Sequence, residues 1–168
     1  MKSLICAFDA KSGVLCSKCD AKLRAGDLTP DDIDASIKLT RLAERFPEIA
    51  KFTLFKAASA DGDLVLVVRA SDVNAAKSNA SIPQRIEREF NRKVWFVESD
   101  TSDRSFVENL FYPVRILSVN LFWLPDGTKL TKVMAEGNAQ RARLDTSKIA
   151  KIAKAVRNMD LLVEFEQK

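Results

Sequence analysis

Three cysteines and one aspartate are the residues best placed by type and spacing to do chemistry: two residues separate Cys6 from Asp9, and two separate Cys16 from Cys19. Paired ligands at that spacing let a tight turn aim both side chains at one ion, and tetrahedral zinc takes four such donors. Asp9 stands where a fourth cysteine would complete the pattern, and a carboxylate is an acceptable zinc ligand. The same residues also read as reduced structural cysteines in a small hairpin, as a site whose metal has been lost, or, for Cys16 and Cys19, as a redox pair. No βαβ pattern surrounds them to favour the last. An odd count leaves one thiol over in any disulfide scheme. The chain contains no histidine, which removes Ser-His-Asp and Cys-His catalysis and His-ligated zinc. With no paired carboxylates, activated nucleophile or P-loop either, an enzyme is not expected.

Contact with phosphate is the second chemistry the residues allow. The net charge is +4 and the pI about 9.0, a mild lean towards a polyanionic partner. Its distribution matters more: between Asn138 and Asn158 stand Arg141, Arg143, Lys148, Lys151, Lys154 and Arg157, with Asp145 the one acid in that segment. Earlier, the polar stretch Lys77-Ser78-Asn79-Ala80 precedes a segment carrying Ile82, Ile86 and Phe90 at four-residue steps, with Arg85, Arg88 and Arg92 off that stripe. Each of these charges also has the plainer reading of a solvated helix face.

The elements that must position these groups are legible in outline. Thr29 is a helix cap followed by Pro30, Asp31 and Asp32, and Leu28 and Ile33 have the spacing of a hydrophobic staple. Ala35, Leu39, Leu42, Phe46 and Ile49 follow the helical period, with Pro47 expected to break its last turn. Lys51 to Lys56 alternates as a strand, Asp61-Gly62 is a hairpin turn, and Leu64 to Val68 is a short apolar strand. Two helical segments follow, meeting at Lys77 to Ala80, before a closing strand from Lys93 to Glu98. After the polar stretch Ser99 to Asp103 the order begins again. A helix from Ser105 ends at Pro113, Val114 to Leu124 is a strand, and Pro125-Asp126-Gly127-Thr128 is a turn. Lys129 to Ala135 returns, Gly137 to Leu144 is irregular or a short helix, Asp145 caps a helix, and Leu161 to Glu166 closes. Gly62 and Gly127 lie 65 positions apart, so two copies of one unit are expected rather than one large domain. Apolar content of 46% with 30% charge is that of a folded chain, and no apolar run reaches the roughly 20 residues a membrane span needs. A soluble, cytoplasmic protein is expected.

The order helix-strand-strand-helix-helix-strand resembles that of the prokaryotic type II KH domain. Two such units in tandem resemble the paired KH domains of NusA and of archaeal NusA-like proteins. The likeness runs over the Cys-rich start, Ala57 to Glu98, Phe111-Tyr112-Pro113-Val114-Arg115-Ile116-Leu117 and the Leu124-Pro125-Asp126-Gly127-Thr128 turn. It implies an α+β chain with a knuckle over 1–28, one KH-like domain over 29–100 and a second over 104–168. It implies binding of single-stranded RNA near transcription elongation or termination, through Lys77, Ser78, Asn79, Ala80, Arg85 and Arg88 in the first copy. In the second copy the contacts fall to Arg141, Arg143, Lys148, Lys151 and Lys154. Relatives carry cysteine where this chain has Asp9 and a glycine-rich loop where it has Lys77 to Ala80, so close backbone approach to phosphate is reduced here. The competing expectation is an adaptor whose degenerate copies dock on RNA polymerase or another complex.

Overall fold

The computed structural model describes residues 1–166, and its chain divides into two compact units, Met1–Asp100 and Thr101–Lys168. The last two positions of the expected second domain, 167 and 168, lie outside the described residues. It is an α+β protein with two three-stranded mixed sheets.

The first unit begins with two short helices, α1 (Ala7–Ser12) and α2 (Ser17–Ala25), so the cysteines do not sit in a small hairpin, one of the readings the sequence left open. Gly13 ends α1 in the left-handed region at φ 77°, and its N–H closes on Asp9 O at 2.8 Å, which turns the chain back. These helices are not a separate body. Ile5, Ala10, Cys19 and Leu28 form a cluster against Ile33 and Ile37 of α3 (Pro30–Arg45). Lys2 is stitched to the sheet as well, donating to Phe52 O and accepting from Leu54 N, both at 2.9 Å.

Helix α3 starts as the sequence predicts. Thr29 Oγ1 accepts from Asp32 N at 3.2 Å and Asp32 Oδ2 accepts from Thr29 N at 2.9 Å, a reciprocal cap. Asp32 is buried, and its other oxygen accepts the N–H of Ala57 at 2.7 Å, which ties the start of the helix to a strand. Pro47 opens a separate turn, α4 (Pro47–Ala50), and Phe52 N bonds back to Ile49 O. The strand expected from Lys51 is therefore displaced, and β1 spans Leu54–Ala60. Asp61 (φ 52°) and Gly62 (φ 84°) both take positive φ, as a tight hairpin of the mirror-image type requires, and lead into β2 (Asp63–Val68). Then come α5 (Ala70–Ser78), α6 (Ser81–Phe90) and β3 (Val94–Glu98). The strand order is β1-β2-β3, antiparallel then parallel. Ile82, Ile86 and Phe90 of α6 are buried with Leu39 and Leu42 of α3 and Leu64, Leu66 and Val68 of β2. Each such side chain contributes about 1.5–3 kcal/mol by leaving water. Phe96 packs edge-on to Phe52 in this core, whereas Trp95 faces away and donates from Nε1 to Asp63 Oδ2 at 2.9 Å.

The second unit repeats that order: α7 (Asp103–Phe111), β4 (Ile116–Trp123), β5 (Lys129–Glu136), α8 (Ala139–Ala142), α9 (Thr146–Arg157) and β6 (Asp160–Glu166). Its sheet again runs edge, centre, edge as β4-β5-β6, antiparallel then parallel. Ser102 caps α7 by accepting from Ser105 N, and Asp145 caps α9 by accepting from Lys148 N. Phe106, Phe111, Val133, Ala135, Ile149 and Ile152 are fully buried.

Candidate functional site

Cys6 and Cys16 are the N-cap residues of α1 and α2, and Asp9 and Cys19 are the third residues of the same two helices. The two segments are thus local copies, each presenting its cap and its third residue towards one point. The four potential donor atoms all lie within 4.8 Å of one another, close enough to hold one metal ion. Cys6 is exposed, Cys16 half-buried and Cys19 buried, while Asp9 is wholly inaccessible.

Asp9 carries the most telling detail. Its Oδ2 accepts the N–H of Cys16 at 2.9 Å, whereas Oδ1 is buried and accepts no hydrogen bond. A buried carboxylate oxygen without a partner is costly in a folded protein and is what a cation would satisfy. The Cys16 N–H, followed by the nearby Cys19 thiol, holds the Asp9 carboxyl down at about 2 against the opposing effect of burial. The Cys6 backbone pulls the Cys19 thiol down, but the Asp9 carboxylate, burial and Cys16 outweigh it and push that thiol up to about 12. A metal ion inverts this local logic, since a coordinating thiol is deprotonated outright.

The elbow of the first unit joins α5 to α6 through Asn79 and Ala80. Asn79 is extended (φ −128°, ψ 97°) and Ala80 right-handed, so this elbow needs no left-handed residue and its lack of glycine costs no backbone strain. Asn79 Oδ1 accepts from Ser81 N and Ser81 Oγ, which fixes the turn locally. Lys77, Ser78, Asn79 and Ala80 are all exposed there, as is Arg88 on α6. Arg85 is not presented in the same way: it is half-buried, ion-paired to Glu48, with its guanidinium 4.0 Å from the centre of the Phe46 ring. A contact with Glu48, 37 residues away, gives no local signal in the sequence.

In the second unit the elbow lies between α8 and α9, where Arg143 takes φ 51° and Arg141 and Arg143 are exposed. Lys148 and Lys151 follow on α9. The balance of one acid against six bases along this segment is corrected by the fold: Lys154 Nζ pairs with Asp160 at 2.8 Å and Arg157 with Asp103 at 3.1 Å. Arg141 and Arg143 stay exposed in the elbow before α9. Among the described residues no helix is long and apolar enough to cross a membrane.

No family model matches the chain, and no curated protein does. Among solved structures, the crystal structure of APE1850 is similar in fold, with a TM-score of 0.52 at 16% identity over 75% of this chain and 96% of that one. The likeness covers more of the chain than either unit alone supplies.

Proposed function

We propose that the chain binds single-stranded RNA through two type II KH-like domains, with a zinc-stabilised amino-terminal segment, and acts alongside transcription as its resemblance to NusA-like proteins implies. The observation that carries this reading is the repeated unit. Both halves run α-β-β-α-α-β with the same strand order and the same antiparallel and parallel pairings, and both set an exposed polar or basic elbow between the two helices that follow the central strand. Lysine and arginine reach phosphate through long side chains and need no glycine geometry, so the second elbow keeps an electrostatic grip. Weak sequence selectivity follows, since backbone amides approach the strand less closely than in a glycine-loop domain.

Cys6, Asp9, Cys16 and Cys19 would hold the zinc. Bound there, the ion supplies a cross-link between α1 and α2, and four protein donors leave it no open position for catalysis. The caps of α1 and α2 lack side-chain hydrogen bonds, so the anionic ligands also face the positive ends of both helices.

An adaptor that docks on RNA polymerase is the second reading, favoured by the ion pairs that occupy Arg85, Lys154 and Arg157. Titration of the full chain with mixed-sequence single-stranded RNA separates the two. Saturable binding supports the first, and a stable polymerase complex with no RNA affinity supports the second. Elemental analysis of protein purified without chelator is expected to show about one zinc per chain, and a value well below that sinks the metal assignment.

A further inference from the structure

The second unit carries a cavity that its elbow does not use. It measures about 330 Å³ and is lined by Asp103, Lys129, Thr131, Arg157, Asn158 and Met159, at the end of α9 opposite the elbow. Arg157 is held in place there by Asp103 Oδ1 at 3.1 Å and by the Phe106 ring 4.5 Å below its guanidinium. Lys129, the first residue of β5, is exposed at the rim. In the antiparallel register Lys129 is directly opposite Trp123, and Thr131 is opposite Leu121. Directly paired residues share a face of the sheet with Cβ atoms about 4.5–5.5 Å apart, so the Trp123 indole stands on the cavity's side of the hairpin. That indole is 69% exposed. The other tryptophan, Trp95, is half-buried, with Nε1 donating to Asp63 and Lys93 Nζ 4.6 Å from its ring.

We propose that this corner binds one ribonucleotide unit of a single strand, a proposal that rests on the RNA-binding reading above. Each part of a nucleotide has a matching group. A base stacks on the open face of Trp123, which any base can do. The phosphate meets Lys129, with the Asn158 amide as a further donor, while Arg157 stays paired to Asp103 and holds that carboxylate in place. Asp103, half-exposed and engaged by Arg157 through Oδ1, offers its second oxygen to a ribose 2′-hydroxyl, the group that distinguishes RNA from DNA. The elbow before α9 supplies long-range attraction, and the hairpin supplies the contact with a base. Helix α9, about 18 Å long at 12 residues, separates the two.

Trp123 is also the reporter. In a Trp95→Phe chain it is the single tryptophan, and its emission is expected to be quenched by oligouridine RNA, saturating at the midpoint seen by gel shift. Trp123→Ala and Lys129→Glu, each in the otherwise unaltered chain, are each expected to weaken RNA binding by roughly tenfold. Asp103→Asn is expected to narrow the preference for RNA over the matching DNA. RNA binding by the unaltered chain without quenching, and indifferent to Trp123→Ala and Lys129→Glu, overturns the hairpin site and leaves the RNA reading standing. No RNA binding by the unaltered chain overturns both. Quenching that grows with protein concentration in the absence of RNA makes the hairpin a contact between copies and overturns the site.

Discussion

Replacing Asp32 with alanine removes one carboxylate that two separate backbone donors depend on. Oδ1 accepts from Ala57 N at 2.7 Å and Oδ2 from Thr29 N at 2.9 Å, and the side chain is buried. A hydrogen bond to a charged acceptor contributes about 1.5–3 kcal/mol, and its loss leaves the Ala57 N–H buried between α3 and β1 with nothing to accept it. Loss of half the reciprocal cap adds about 0.5–1 kcal/mol, while the bond from Asp32 N to Thr29 Oγ1 survives because the donor is backbone. The expected cost is about 3 kcal/mol. Asp32→Asn is expected to cost about half as much, since it keeps one oxygen but turns an NH₂ towards the other donor. Equilibrium urea unfolding followed by Trp95 emission in a Trp123→Phe chain confines the signal to the first unit. With an m-value of about 2 kcal/mol/M the midpoint falls by about 1.5 M. A loss under about 0.5 kcal/mol, the range of an ordinary surface substitution, would refute the assignment of Asp32 as the tie between α3 and β1.

Cys16→Ser is expected to lower retained zinc more than Asp9→Ala, because a thiolate binds this ion more strongly than a carboxylate; elemental analysis giving the reverse order contradicts the ligand set. Arg143→Gly is expected to stabilise the second unit by about 0.5–1 kcal/mol, since glycine takes its positive φ without a Cβ clash, and at the same time to weaken RNA binding. Equal or lower stability in thermal unfolding would argue against the left-handed elbow. Asp126 is held below the ordinary carboxylate range by the Thr128 side chain and N–H in the hairpin turn. Because the folded value is depressed, its contribution to stability is present above the unfolded pKa and lost as pH falls through the folded one. Carboxyl NMR is expected to place its midpoint below that of the unfolded chain, and Thr128→Ala to raise it.

What could be read from the chain alone depended on how local the cause was. Thr29, Pro30 and Asp32 fix a helix start within four residues, and Asp61-Gly62 fixes a turn within two, so both were legible. The displaced start of β1 was not, because the Lys51 to Lys56 alternation competes with a turn closed by Phe52 N on Ile49 O. The ligand spacing of Cys6, Asp9, Cys16 and Cys19 was visible, but not that each pair caps a helix. Helix α1 is only 6 residues long, too short to show a period. Lys154 pairs with Asp160 and Arg157 with Asp103, acids that lie outside the Asn138 to Asn158 stretch, so counting charges along the sequence overstated the basic segment. Trp123 carried no signal at all until its register with Lys129 was known.

On the reading proposed above, the chain grips single-stranded RNA by charge at the elbow before α9. The most direct measurement is RNA affinity of the unaltered chain and of the combined Arg141→Glu, Arg143→Glu, Lys148→Glu chain at about 50 and 200 mM salt. Three phosphate contacts predict about a twentyfold loss for the unaltered chain across that range, and the triple reversal is expected to abolish most binding at the lower salt. RNA binding that survives the reversal, or that barely changes with salt, would contradict the claim and leave the elbow a solvated surface.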